Sequence, residues 1–113
     1  MQKDLKSKKH LIIAMTIETT ILDFQLSNTF EQYESHMNAE EQQSMFKEMG
    51  VRTFYIGKSL DDPQRATVIF QGQENVLYDI FMNPETKPIV EASGHIYAGT
   101  KILAGFLKKI NLL

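Results

Sequence analysis

Five side chains pair a reactive or charged head with a place where a fold could present it: His95, Tyr97, Tyr55, Asp23 and Arg52. His95 follows Ser93-Gly94 at the mouth of the last patterned segment, and an imidazole, with a pKa of about 6.5, is the natural proton carrier at neutral pH. Tyr97 lies two residues on, the same strand face by parity, so an imidazole and a phenol can project together. A strand-end His bonded to backbone and a packed Tyr with its hydroxyl satisfied account for the same pair. Tyr55, with Thr53 and Ser59, offers a second polar lining, and parity sends Arg52 to the opposite face of that strand. Asp23, between Leu22 and Phe24, is a carboxylate on an apolar strand; it must be paired or see water, as an interface hydrogen-bonder or a pocket group.

Other candidates are weaker. Asp61 and Asp62 form a carboxylate pair, but adjacent turn residues point apart and Asp-Asp-Pro is turn chemistry in its own right. His10, His36 and His95 show neither His-x-x-x-His nor His-Glu-x-x-His spacing, so no metal site is expected. With no Cys, no Trp and no phosphate loop, disulfides and thiolate metal centres are excluded and no cofactor is implied. An absence of Cys also suits a reducing cytoplasm, the location expected.

The elements able to position these residues follow, from Met15 onward, in the order strand, helix, strand, tight turn, strand, helix, strand. Thr16 to Leu26 alternates, with Leu22, Phe24 and Leu26 on one side and Ile17, Thr19, Ile21 and Asp23 on the other. Asn28 and Glu31 have capping-box spacing ahead of Phe30, Tyr33 and Met37. Asn38 and Glu41 repeat it ahead of Met45, Phe46 and Met49, so the helix should kink near Asn38 and stop at Gly50. Val51 to Ser59 and Arg65 to Gln71 read as a hairpin. Glu74 to Met82 carries an apolar helical stripe, a short helical turn covers Pro88 to Ala92, and His95 to Leu107 reads as one long strand interrupted by Gly99 and Gly105.

That order spells an α+β, ferredoxin-like βαββαβ sandwich: an antiparallel four-stranded sheet of order 4-1-3-2 with helices on one face. The other face would leave Ile17, Ile21 and much of the last strand in water. Burial against a second copy covers them, so a homodimer through sheet-to-sheet packing is expected.

At 113 residues the chain has room for one domain, assigned to residues 15 to 113. Residues 1 to 14, MQKDLKSKKHLIIA, read as a flexible basic extension, with Met15 as an alternative start. There Lys3, Lys6, Lys8 and Lys9 stand against Asp4 alone, a local +3 within a chain of net charge −2. The acidic remainder argues against nucleic acid as a partner. The apolar run Leu11 to Ala14 is shorter than the roughly seven residues a signal-peptide core needs, and no window reaches the roughly 18 of a membrane span, so no membrane partner is expected.

Two runs, Gly50 to Ile69 (GVRTFYIGKSLDDPQRATVI) and Glu91 to Ile96 (EASGHI), resemble a family of small cyanobacterial and marine bacterial proteins of unknown function, over nearly all of Met15 to Leu107. The resemblance implies a dimeric α+β barrel, distantly similar to the antibiotic-biosynthesis monooxygenases, and no activity. It also implies a His in many relatives where this chain has Phe70. Two functional readings follow. One is a dimeric small-molecule-binding module using a cleft between sheet and helices. The alternative is a cofactor-free monooxygenase or isomerase acting on a small organic compound, by analogy of fold alone.

Overall fold

The computed structural model describes residues 17–107. Its elements are strand β1 (Ile17–Gln25), helices α1 (Phe30–Asn38) and α2 (Glu40–Glu48), strands β2 (Val51–Lys58) and β3 (Arg65–Gln73), helix α3 (Val76–Met82), a 3-10 turn (Pro84–Thr86), helix α4 (Lys87–Ala92) and strand β4 (Lys101–Leu107). The basic extension and the alternative start at Met15 lie outside the described residues.

All strand pairs are antiparallel, in the order β2-β3-β1-β4, which reads 4-1-3-2 from the other edge. Alternation in β1 decides what covers the sheet. Glu18, Thr20, Leu22 and Phe24 are buried, while Ile17, Thr19, Ile21 and Asp23 on the other side are half-buried. The buried parity joins Val68 and Phe70 of β3 and Tyr33, Met37, Phe46, Leu77 and Phe81 of the helices in one core. Helices therefore cover one face and leave the other open.

Local chemistry sets the element ends, with departures from the sequence reading. Thr29, rather than Asn28, caps α1: its Oγ1 accepts the Gln32 N–H and the Gln32 side-chain oxygen accepts the Thr29 N–H, both at 3.1 Å. Asn28 is engaged elsewhere, its amide donating to the Ser93 carbonyl at 3.4 Å. The helical stretch does break at Asn38, but no side chain caps α2. Ala39 turns extended (φ −61°, ψ 142°), and the Gln43 amide spans the break by donating to the Met37 carbonyl at 2.6 Å. Asp62 turns the β2–β3 hairpin, its Oδ1 accepting the Gln64 N–H at 2.9 Å.

Both edge strands carry a bulge. In β2, Thr53 pairs with Phe70 and Tyr55 with Ile69, so Phe54 is an extra residue. It resets the alternation, and Arg52 and Tyr55, expected on opposite faces, share the open one. In β4, Leu103 pairs with Ile21 and Phe106 with Thr19, so two residues, Ala104 and Gly105, oppose Thr20 alone. Gly105 adopts φ +88°, a region costly for any residue with a Cβ. Leu103 and Phe106 consequently both reach the open face, 55% and 52% exposed. Glu18 fastens this bulge from inside: its buried carboxylate accepts the Gly105 N–H at 2.5 Å and the Asn75 N–H, at the start of α3, at 2.6 Å.

The last strand is shorter than its sequence suggests. His95 makes only a lone bridge to Leu26, residues 96–100 are irregular, and β4 begins at Lys101. Gly94 forces that break: it has φ +98°, and a Cβ there would stand 2.1 Å from the Asn28 side-chain oxygen.

Candidate functional site

A cavity of about 110 Å³ lies between sheet and helices. Strands β1 and β3 contribute Leu22 and Phe70, α1 and α2 contribute Met37, Met45 and Met49, and α3 and α4 contribute Ile80 and Val90. Its polar lining is Tyr33, Gln42, Thr86, Ser93 and His95; no Asp, Glu, Lys or Arg takes part. Two of the hydroxyls are bonded within the protein, Thr86 donating to the Ile80 carbonyl and Ser93 to the Val90 carbonyl, each at 2.6 Å.

His95 is 4% exposed and lies flat on Phe24, with ring centroids 3.6 Å apart and planes 7° apart. Burial pushes its pKa down to about 4, so the imidazole is neutral at pH 7. Nε2 stands 2.8 Å from the Thr100 hydroxyl oxygen, whose single proton has the Tyr97 carbonyl at 2.8 Å to bond. That network assigns the ring proton to Nε2, and Nδ1 keeps its lone pair.

Tyr97 stays off the cavity lining. Its ring stacks on Phe81 (4.6 Å, 9°) and its hydroxyl donates to the Phe81 carbonyl at 2.5 Å. His95 also contacts Phe81, at 5.8 Å between centroids. The expected His95–Tyr97 neighbourhood therefore exists, but Phe81 lies in contact with both rings and the Tyr97 hydroxyl is engaged by backbone.

The remaining predicted residues gather on the open face, away from the cavity. Tyr55 is half exposed and lies over Gly57, where an added Cβ would meet its ring at 2.7 Å. Arg52 donates through Nε and Nη2 to the Gln71 side-chain oxygen (3.2 and 3.0 Å), and the Gln71 amide donates to the Thr19 hydroxyl at 3.4 Å. Asp23 is paired, accepting from Arg65 Nε at 2.8 Å and Nη2 at 2.5 Å. Hydrogen bonding from Arg65 holds its carboxyl below the usual carboxylate range, against a smaller opposing effect of burial.

Of the cavity's polar residues only His95 was a sequence candidate; Tyr33, Gln42, Thr86 and Ser93 were not. Tyr33 is 1% exposed, sits edge-on to Phe24 (5.3 Å, 62°), and burial alone drives its phenol pKa up. The available signal was a phenol at the centre of the apolar stripe Phe30, Tyr33, Met37, where Phe would pack as well. The buried side-chain polar atoms without a partner among the described residues are Thr20 Oγ1, Asn28 Oδ1 and Thr53 Oγ1.

Among the described residues no group of three His, Asp or Glu side chains could hold a metal ion, and no helix is long and apolar enough to cross a membrane. An open four-stranded antiparallel sheet, roofed on one face by helices with an uncharged cavity between them and the sheet, defines an α+β protein. The chain belongs to the family described as Domain of unknown function (DUF3764), whose model matches residues 17–108. No curated protein matches the chain.

Proposed function

We propose that the protein is a small-molecule-binding module, built as a dimeric α+β barrel of ferredoxin-like subunits and working in the cytoplasm. The cavity between sheet and helices carries the reading. At about 110 Å³ it approaches the roughly 150 Å³ at which an apolar cavity in another protein admits benzene. Three methionines in its lining can re-pack around a guest, because the unbranched thioether chain has several low-energy shapes.

The open face supports the dimer. Ile17, Ile21, Ile69, Leu103 and Phe106 share one side of the sheet, and a monomer seldom leaves such a patch in water. Acid–base catalysis has less support, since His95 Nε2 is bonded to Thr100 and the Tyr97 hydroxyl to backbone.

Titration with benzene, followed through methionine methyl resonances, tests the binding reading. Met37, Met45 and Met49 are expected to shift, while Met82, half exposed and outside the lining, stays put. Lining methyls unmoved by saturating benzene would refute it.

A further inference from the structure

Building on that reading of the cavity, we infer that its ligand is a hydrocarbon-like molecule of about one ring in size, uncharged and held by shape and dispersion rather than by hydrogen bonds. The chemistry of the lining carries this. No Asp, Glu, Lys or Arg takes part, so a charged guest would lose its water without gaining a counter-charge. Polar side chains in the lining are bonded within the protein: the Thr86 and Ser93 hydroxyls donate to the Ile80 and Val90 carbonyls, and His95 Nε2 is bonded to Thr100. Three buried side-chain atoms do lack a partner among the described residues, Thr20 Oγ1, Asn28 Oδ1 and Thr53 Oγ1, but none belongs to a lining residue. Those unmet hydrogen bonds therefore lie away from the cavity.

Water is a poor occupant for the same reason. A buried water needs about two to four polar partners, whereas this space is lined mainly by aliphatic and aromatic side chains and by Met37, Met45 and Met49. Left empty, it would cost those side chains the dispersion contacts of a filled core; an apolar guest restores them, and the thioether chains adjust to its outline. The mouth lies between α2 and α4. On the sheet side of the lining Leu22, Val68 and Phe70 are at most 5% exposed, whereas Met45 and Met49 are half-buried and Ile89 is 52% exposed.

Toluene, phenol and benzoate share a ring and differ in one substituent, and the methyl signals of Met37, Met45 and Met49 in the intact chain report the binding of each. A cavity with a free hydrogen-bonding group compensates phenol for the water its hydroxyl gives up, and a cavity without one does not. Toluene is expected to bind at least about fivefold more tightly than phenol. A smaller preference, or the reverse, overturns recognition without hydrogen bonds while binding at the cavity stands. Benzoate at neutral pH should leave the methyl signals unmoved, and shifts that follow its concentration overturn the exclusion of charge. If neither benzene nor toluene moves the lining methyls, the binding reading falls and the inference with it.

Discussion

On the helix side of β1, Leu22, Phe24 and Leu26 are at most 3% exposed, whereas on the opposite side of the sheet Leu103 and Phe106 stand half in water. Polar groups follow the same division. On the covered side Glu18 is held by two backbone N–H groups and His95 by Thr100, while the buried Thr20 hydroxyl has no partner among the described residues. Those on the open side bond laterally to each other, as Arg52–Gln71–Thr19 and Asp23–Arg65. Lateral pairing leaves the apolar groups between them without partners. Substitutions on the covered side should therefore be felt in folding, and substitutions on the open side in association.

Truncating one aromatic on each face strains this division hardest. Phe24→Ala removes a fully buried ring that contacts both Tyr33 and His95, and is expected to cost about 3–5 kcal/mol in urea unfolding. Phe106→Ala should cost the isolated subunit less than about 0.5 kcal/mol. Equal losses would break the comparison.

Acid sharpens it next. His95 has a pKa of about 4 in the folded protein against about 6.5 unfolded, so above pH 6.5 the neutral ring carries its full stabilisation. As pH falls from about 6.5 to about 4 the unfolded chain takes up a proton that the folded one refuses, and on the order of 3 kcal/mol is lost. His95→Phe should flatten that part of the stability curve, read from urea midpoints across pH. An unchanged slope would show the ring to be solvated.

On the open face, Leu103→Asp places a charge in the proposed sheet-to-sheet seam and should weaken the homodimer at least about tenfold, read by sedimentation, with the unfolding midpoint at high dilution little changed. A wild-type chain that sediments as a monomer at micromolar concentration would remove the dimer from the proposal. The smallest effect belongs to Asp23→Asn, which breaks a partly exposed ion pair and should cost less than about 1 kcal/mol. Because Arg65 holds the Asp23 carboxyl below its ordinary range, that small stabilisation persists above pH 4 and fades below it.

Much of this was readable from residue types. The alternation of β1 assigned both of its faces correctly, because β-branched and aromatic residues at a period of two mean the same thing in any sheet. The antiparallel pairing and the helix break at Asn38 were readable for similar reasons. Bulges were not. A single extra residue at Phe54 leaves a strand-like composition intact while reversing every later side chain, and so Arg52 was separated from Tyr55 although the structure unites them. Asn28 and Thr29 are both good caps, and only the tertiary contact of Asn28 with Ser93 decides between them. His95 was recognised and Tyr33 was not, since a Tyr within an apolar helical stripe reads as core and only tertiary packing puts it at the cavity.

The two bulges have a consequence at the rim of the sheet. Strands β2 and β4 are its edges, and an edge strand offers its free N–H and C=O groups to any other extended chain. A growing ribbon of sheets needs that row unbroken, and Phe54 interrupts it on one rim as Ala104-Gly105 does on the other. Glu18 pins the second interruption from the core, so one carboxylate sealed inside the domain helps to guard its outer edge against fibrous polymerisation.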